Sequence, residues 1–240
     1  MVWGKDVRLA RIMENGRMLC VPMDHGVSSG PIKGVDRIYE TIRRLEAGGV
    51  TAILVHKGVL KNLPKPIKAG IIMHASASTS LSMSPNWKVQ AASVEEALRL
   101  GADAVSVHVN IGNRDEQAML MKLGAVADKC DEWGVPLIAM MYPRGENIKD
   151  PKDPIVIAHV ARVGAELGAD IVKVPMPSFN PEEIKVITES CPVPIVAAGG
   201  PRMDDDRRVL ELAKAVIEAG GIGVTFGRNV FQHERPDLMA

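Results

Sequence analysis

One lysine of this sequence lies inside an apolar stretch that is typical of a buried strand. Lys173 stands in GADIVKVPMPSF (168–179), yet lysine is almost never fully buried without a partner. Because side chains alternate along a strand, we predict that Lys173 faces the protein interior together with Ile171. Burial disfavours the charged ammonium, and a neutral amine can attack a ketone to form a Schiff base. The alternative is an ion pair with Asp24 that only fills the interior.

A second chemical signal consists of glycines that follow two later apolar runs. AAGGPR contains Gly199 and Gly200, and VTFGRN contains Gly227 followed by Arg228. Glycine lets the backbone approach a ligand closely, and backbone N–H groups bind phosphate well. An arginine beside such loops can hold the same anion. We therefore predict a phosphate site here, although glycines of this kind can also simply form tight turns.

Polar side chains follow the other apolar runs too, where parallel strands would end. We expect His25, Lys57 and Arg144 to shape the electric field and contact substrate. Tyr142 and Asp24 are further candidates from the same positions. The complete set from the first five predicted strands is Asp24, His25, His56, Lys57, His74, Ser76, His108, Asn110, Tyr142 and Arg144.

Four histidines among these residues raise a competing hypothesis, a metal site. His25, His56, His74 and His108 could converge as ligands. However, few carboxylates accompany them, and His56 and Lys57 are adjacent and should face opposite sides of the sheet. Histidines in the core or in hydrogen bonds are the simpler interpretation. We therefore expect no metal and no cofactor.

The elements that would position these residues alternate between short apolar runs and segments with helical periodicity, such as VDRIYETIRRLEAGG and PIVIAHVARVGAELG. This alternation indicates βαβ units and a parallel sheet. Eight such units in 240 residues predict an α/β TIM barrel, whose active sites form at the carboxyl ends of the strands. The predicted strands are 18–24, 51–57, 70–75, 103–109, 136–142, 170–175, 194–200 and 221–227.

The pattern predicts a single TIM-barrel domain over residues 1–240, with two irregular places. The segment GVLKNLPKPIKA between the second and third strands contains two prolines and can hold only a short helix. Only RNVFQHERPDLMA follows the last strand, so the closing helix is missing or short. Helix starts are predicted at Ser93, where Glu96 completes a capping box, and at Asp153 and Asn180, each of which precedes a proline.

Composition excludes several classes of protein. Lysine plus arginine and aspartate plus glutamate number 29 each, so no overall field attracts nucleic acid or an anionic membrane. The sequence has no apolar run long enough to span a bilayer and nothing like a signal peptide, so we expect a cytoplasmic protein. The three cysteines, Cys20, Cys130 and Cys191, are far apart and form no CxxC pair. We expect them to be small buried hydrophobic residues.

With these residues assigned, the sequence resembles the archaeal-type class I aldolase family over nearly its whole length. The segments MDHGVSSGP and MYPRG carry the resemblance most specifically. GADAVSVHVNIG, GAELGADIVKV, PIVAAGGP and GVTFGRNVFQH extend it. The segments 75–79 and 174–180 depart from the usual pattern and border the substrate, so they bear on specificity.

The resemblance implies a TIM barrel that works through a lysine Schiff base and forms a homo-oligomer. By motif position, the Schiff-base lysine falls on Lys173, the acid/base tyrosine on Tyr142 and the strand-one aspartate on Asp24. The phosphate site falls on the loops after strands seven and eight, at Gly199, Gly200, Gly227 and Arg228.

The implied substrates are a small phosphorylated ketose and an aldehyde. The resemblance favours transfer of a three-carbon unit from 6-deoxy-5-ketofructose 1-phosphate to L-aspartate semialdehyde, in aromatic amino acid biosynthesis. Cleavage of fructose 1,6-bisphosphate uses the same logic and is the alternative. A third hypothesis is a non-catalytic barrel that binds sugar phosphate. Such a barrel would keep Arg228 and the glycines but would not need Lys173 and Tyr142 together.

Overall fold

Ten strands occur among residues 3–240, which are the residues that the computed structural model describes. Eight of them form a barrel: β1 (Met18–Pro22), β2 (Ala52–His56), β3 (Gly70–His74), β6 (Ala104–Ile111), β7 (Leu137–Pro143), β8 (Ile171–Val174), β9 (Ile195–Ala198) and β10 (Gly223–Thr225). The short strands β4 (Ser76–Ala77) and β5 (Val89–Gln90) pair antiparallel outside it.

The eight barrel strands close in the order β1-β10-β9-β8-β7-β6-β3-β2. All neighbouring pairs are parallel, so the carboxyl ends of all eight strands lie at one end of the barrel. The predicted TIM barrel is confirmed, and each of the eight predicted strands overlaps one of these strands, with β6 and β7 running one or two residues past the predicted ends. Chain order and barrel order agree, because β4 and β5 are only an excursion between β3 and β6.

Helices connect the strands and surround the barrel. They are α1 (Trp3–Ile12), α2 (His25–Ser29), α3 (Ile38–Gly48), α4 (Lys57–Lys61), α5 (Val94–Arg99), α6 (Glu116–Trp133), α7 (Pro154–Glu166), α8 (Pro181–Ser190), α9 (Asp206–Glu218), α10 (Arg228–Phe231) and α11 (Pro236–Met239). As predicted, α4 is short, and only the four-residue helices α10 and α11 follow β10. No helix within residues 3–240 is both long and apolar enough to cross a membrane.

Helix starts follow from local chemistry that the sequence displays. The side chains of Ser93, Asp153 and Asn180 each accept a hydrogen bond from a backbone N–H in the first turn of α5, α7 and α8. These bonds satisfy donors that a helix start leaves free. The three predicted caps are confirmed.

The core has two layers that follow strand alternation. One layer fills the barrel interior with side chains such as Cys20, Leu54, Ile72, Ile138 and Ile171, together with Ile12 of α1. The other lies between the strands and the helices and includes the remaining two cysteines, which are buried as predicted. Inward positions near the carboxyl ends of the strands are polar instead, and they form the site described below.

Candidate active site

Lys173 is fixed near the carboxyl end of β8, between Met140 of β7 and Val196 of β9. It faces the barrel interior with Ile171, whereas Val172 and Val174 belong to the outer core layer. Its side chain is buried, with the residue only 3% exposed. Within residues 3–240, its ammonium group makes no ion pair within 4.0 Å and no hydrogen bond. The alternative of a space-filling ion pair with Asp24 is therefore not what the structure contains.

Asp24 follows β1 and points a carboxylate into the same region. Its oxygens lie 3.6 Å from Nδ1 of His25 and 3.9 Å from Nε2 of His74. Burial alone would raise the pKa of this carboxyl, but electrostatic attraction to His74, His25 and then Lys173 holds the pKa below its usual range. Asp24 is therefore ionised beside the buried lysine, and it can accept or relay a proton there.

Tyr142 lies on the inward face of β7, two residues beyond Met140 and thus one step closer to the barrel mouth than Lys173. Its ring stacks on His108 with 4.8 Å between the ring centroids. The guanidinium of Arg144 lies 4.5 Å from the Tyr142 centroid. Nε2 of His108 is 2.9 Å from Oδ1 of Asn110, which orients the imidazole. These contacts hold the phenol next to the strand that carries Lys173.

The glycine loops after β9 and β10 are tied together beside this group. Asn229 donates to the carbonyl of Gly199 at 2.8 Å, and Nη2 of Arg228 donates to the carbonyl of Gly200 at 3.0 Å. Gly200 has a φ of +66° that other residues rarely adopt. A Cβ at Gly227 would lie 2.9 Å from the carbonyl oxygen of Pro22, so only glycine lets this loop approach β1 so closely.

An unsatisfied polar atom at these loops fits an anionic ligand. Nε of Arg228 is buried and has no hydrogen-bond partner among the residues that the structure describes. Nδ1 of the nearby His25 is also buried without a hydrogen-bond partner among the described residues, and it lies 3.6 Å from an oxygen of Asp24. Buried donors without acceptors are costly. A phosphate oxygen would satisfy the guanidinium, which fits the predicted phosphate site.

The structure does not bring Lys57, predicted as a substrate contact, into this group. It starts α4, and its Nζ lies 3.0 Å from Oε2 of Glu96, on the outside of the barrel. The reason is strand alternation, since His56 ends β2 facing inward and the next residue faces outward. Glu96 binds Lys61 as well, at 3.3 Å, so this cluster fastens α4 to α5.

Two of the histidines near the strand ends, His74 and His108, are held by hydrogen bonds. Nδ1 of His74 is 2.8 Å from Oγ of Ser106, and the His74 ring makes an edge contact with His56. Burial lowers the pKa of His74 to about 3 and that of His108 well below its usual value, so both imidazoles are neutral at neutral pH. Within residues 3–240, no group of three or more His, Cys, Asp or Glu side chains is arranged to hold a metal ion.

A cavity of about 1230 Å³ at the carboxyl ends of the strands brings the other predicted residues together. It is larger than a typical small-molecule pocket. Sequence reasoning missed Lys88, which lines it from the segment before β5, and Asn229, which joins the glycine loops. Neither follows a predicted strand directly, and only the adjacency of Asn229 to Arg228 gave a signal. The predicted site residues in its lining are Asp24, His25, Tyr142, Arg144, Lys173, Gly199, Gly200, Gly227 and Arg228.

A TIM barrel with a buried lysine, a neighbouring tyrosine and a pair of glycine loops has the arrangement of a lysine-dependent aldolase site. Comparison with known proteins agrees. The chain belongs to the DeoC/LacD aldolase family, whose sequence pattern matches residues 18–233. The prediction of a class I aldolase-type enzyme is confirmed.

Two curated relatives are similar over nearly the whole chain. A 2-amino-3,7-dideoxy-D-threo-hept-6-ulosonate synthase of Archaeoglobus fulgidus is 43% identical, over 99% of this chain and 88% of the relative. A 2-amino-4,5-dihydroxy-6-oxo-7-(phosphonooxy)heptanoate synthase of Streptomyces griseus is 41% identical, with the same coverage of both chains.

A solved structure supports the mechanistic class. An archaeal fructose-1,6-bisphosphate aldolase, with its catalytic lysine covalently bound to the carbinolamine intermediate of the substrate, is 25% identical with a TM-score of 0.90. The match covers 97% of this chain and 95% of that one.

Proposed function

We propose that this chain is a 2-amino-3,7-dideoxy-D-threo-hept-6-ulosonate synthase that works through a Schiff base on Lys173. The observation that carries the proposal is a buried lysine that has no ion-pair partner within residues 3–240 and lies one strand away from the inward-facing Tyr142. An unpaired buried lysine is costly unless its amine is used. The relatives that carry this name at 38% identity or more support the choice of reaction.

The first step is formation of an imine. The phosphate of 6-deoxy-5-ketofructose 1-phosphate binds at Gly199, Gly200, Gly227 and Arg228, which holds the ketose across the cavity. The neutral amine of Lys173 adds to a ketone carbon to form a carbinolamine. Asp24 moves protons during this addition, and the carbinolamine oxygen leaves as water, giving the protonated imine.

The second step breaks one carbon–carbon bond and forms another. Tyr142 removes the proton from the hydroxyl beyond the breaking bond. The bond's electron pair moves into the imine, which leaves a three-carbon enamine on Lys173 and releases a phosphorylated aldehyde fragment. The enamine then attacks the aldehyde carbon of L-aspartate semialdehyde, and Tyr142 returns its proton to the new alkoxide. Water hydrolyses the resulting imine and frees Lys173.

A second candidate is supported by the names of the relatives. The synthase of Streptomyces griseus is named for a product with a phosphate on C7, whereas the hept-6-ulosonate product is deoxy at that carbon. In the product of the first name, an aldol addition would form the bond between C4, which carries the new hydroxyl, and C5, which is next to the C6 ketone. Breaking that bond gives a phosphorylated three-carbon ketone, C5 to C7, as the donor. The transferred unit thus either keeps its phosphate or leaves it on the released fragment.

Cleavage of fructose 1,6-bisphosphate is the remaining aldolase reaction, supported by the structural likeness to archaeal enzymes of that activity. A barrel that only binds sugar phosphate would need neither Lys173 nor Tyr142. The joint presence of both in one cavity supports an enzyme.

Product analysis tests the proposal. The enzyme is incubated with L-aspartate semialdehyde and either 6-deoxy-5-ketofructose 1-phosphate or dihydroxyacetone phosphate, and the seven-carbon product is weighed by mass spectrometry. We expect the deoxy product from the first donor. A phosphorylated product from the second donor alone would favour the Streptomyces-type reaction. Cleavage of fructose 1,6-bisphosphate without any seven-carbon product would overturn the synthase in favour of the aldolase.

We expect the reaction in the cytoplasm, since its substrates are intermediates of metabolism. The homo-oligomer implied by the family resemblance stays a prediction, to be measured by light scattering.

A further inference from the structure

Two positively charged side chains line the cavity on the side that faces the glycine loops. In the ring of eight strands, Lys88 comes from the segment between β3 and β6, which lies diametrically across from β9 and β10. Arg144 follows β7, next to β6. Between these two sides lies β8, which carries Lys173. The cavity therefore has cations at both ends and the reactive amine between them.

We propose that Lys88 and Arg144 form a second anion site, which holds the negatively charged tail of the aldehyde that reacts with the Lys173 enamine. The assignment rests on the proposed function, because it presumes an enamine that attacks an aldehyde. It adds the residues that recognise the acceptor. The chemical class is a short aldehyde with a carboxylate or a phosphate at its far end.

The two cations lack acidic partners in the part of the chain that the structure describes. Nζ of Lys88 donates to Oγ of Ser78 at 2.5 Å, and the guanidinium of Arg144 lies over the Tyr142 ring. Of the two carboxylates in the described cavity lining, Glu146 faces Arg114 at 3.7 Å, and Asp24 lies between His25 and His74. The charge of Asp24 acts on Lys88 without forming an ion pair. Burial, and next the charge of Arg144, lower the pKa of Lys88. Two like charges near each other favour an anion between them.

Lys88 is held in place through its backbone. The buried ammonium of Lys122, on α6, donates to the carbonyl of Lys88 at 2.6 Å and to that of His108 at 2.7 Å. Nδ2 of Asn110 donates to the carbonyl of Asn86 at 2.6 Å. These bonds fasten the segment of Lys88 to β6. The position of a surface-segment lysine is thus fixed by side chains of the barrel, as a recognition residue requires.

The contact between Arg144 and Tyr142 links this site to the chemistry. An anion between Lys88 and Arg144 would place the acceptor with its tail beside the ring that delivers the proton. Its aldehyde then extends toward β8, where the enamine forms. Proton transfer from Tyr142 and carbon–carbon bond formation require this alignment. A neutral aldehyde would lack the anchor and react less well.

The test compares Lys88→Gln with Lys152→Gln, a matched variant that removes an exposed lysine of the same cavity mouth. Kinetics are measured with 6-deoxy-5-ketofructose 1-phosphate as donor. The acceptors are L-aspartate semialdehyde, succinic semialdehyde and the neutral butanal. Borohydride trapping of the donor on each variant reports whether the Schiff base forms independently of the acceptor.

We expect Lys88→Gln to raise KM for the two carboxylate acceptors roughly tenfold or more, with kcat changed by less than about threefold. Reaction with butanal and trapping of the donor should stay as in the unmodified enzyme. If Lys152→Gln raised KM for the carboxylate acceptors equally, the effect would come from the overall positive charge of the cavity mouth and not from a binding site at Lys88. That result would overturn the assignment. Unchanged KM for both semialdehydes and for the phosphorylated acceptor used below, with trapping intact, would also overturn it while leaving the proposed function standing.

A phosphate tail is distinguished by a second pair of acceptors, glyceraldehyde 3-phosphate and glyceraldehyde. If Lys88→Gln raises KM only for glyceraldehyde 3-phosphate, the site takes phosphate and not carboxylate. If it raises KM only for the semialdehydes, the site takes the carboxylate of an amino acid. Absence of donor trapping in the unmodified enzyme would instead refute the proposed function itself.

Discussion

Each end of the barrel buries a lysine, and the two lysines differ in whether they form ion pairs. Near the amino ends of the strands, Lys5 of α1 forms ion pairs with Asp131 and Asp170, the latter at 2.8 Å. Near the carboxyl ends, Lys173 has no such partner among the described residues. Asp170 and Lys173 are only three residues apart in sequence, on either end of β8. At one end of this short strand Asp170 forms an ion pair with Lys5, and near the other end the amine of Lys173 has no such partner among the described residues.

This difference separates a structural lysine from a reactive one. Burial disfavours charge on Lys5, but its hydrogen bonds to the two aspartates raise its pKa above the usual value. It therefore remains a cation that fastens α1 to the barrel. Lys173 is left in a cavity with a carboxylate and a phenol but with no bond of its own, which is a costly arrangement for stability. Such cost is typical of functional sites.

The largest effect is expected from replacing the lysine near the carboxyl ends of the strands, Lys173, with methionine. Lys173→Met removes the only atom proposed to bond to substrate, so turnover should fall by about 10⁴-fold or more. The free energy of unfolding should stay the same or rise, since an unpaired buried amine is replaced by an apolar side chain of similar length. Steady-state kinetics and urea unfolding measure the two quantities. A variant that keeps substantial turnover would remove the contrast between the two lysines.

A large but smaller effect is expected at the proton-transfer group. Tyr142→Phe keeps the ring stacked on His108 and removes only the hydroxyl, so kcat should fall by about 10²–10⁴-fold. The imine should still form on Lys173, because Tyr142 acts after that step. Single-turnover kinetics with borohydride quenching would then show an adduct that accumulates. Loss of the adduct together with kcat would mean that Tyr142 acts earlier.

The matched substitution near the amino ends of the strands, Lys5→Met, should lower stability and leave activity unchanged. Lys5→Met leaves Asp170 with the backbone N–H of Leu137 at 2.8 Å as its remaining donor. Removing one partner of a buried pair should lower the free energy of unfolding by about 2–3 kcal/mol. Turnover per folded molecule should remain at the level of the unmodified enzyme. A loss of activity at unchanged stability would contradict the structural role of Lys5.

The smallest effect is expected in how the free energy of unfolding depends on pH through the buried His74. Burial lowers the pKa of His74 to about 3, while a histidine in an unfolded chain titrates near pH 6.5. Between these values the unfolded state binds the proton, so the free energy of unfolding falls as the pH falls. The slope from one such group reaches about 1.4 kcal/mol per pH unit.

His74→Gln should therefore make the loss of stability between pH 6.5 and pH 5 shallower than in the unmodified protein. Urea unfolding at several pH values, evaluated by slope and not by absolute stability, measures this. Equal slopes would mean that His74 is not buried in its neutral form.

Much of the fold follows from local signals in the sequence. The apolar runs and the capping residues Ser93, Asp153 and Asn180 depend on near neighbours, so they could be identified without knowing the fold. The site residues that directly end a strand followed as well, because parallel strands in a barrel end on the same side. Lys173 and Tyr142 are the clearest examples.

What could not be predicted depends on contacts between distant segments. Lys57 is a different case, because local strand alternation already turns His56 inward and Lys57 outward. Lys88 belongs to the cavity only because Lys122 holds its backbone from 34 residues away. Likewise, the role of Asn229 depends on the loop of Gly199, 30 residues earlier. No local pattern encodes these pairings.

Trapping the Schiff base tests the central claim most directly. The unmodified enzyme is incubated with dihydroxyacetone phosphate or with 6-deoxy-5-ketofructose 1-phosphate, reduced with borohydride, digested and mapped by mass spectrometry. The account predicts one mass increment, on the peptide that contains Lys173, with Lys5 and Lys88 unmodified. An adduct on another lysine would contradict it, as would turnover that continues without any adduct and disappears when a chelator is added.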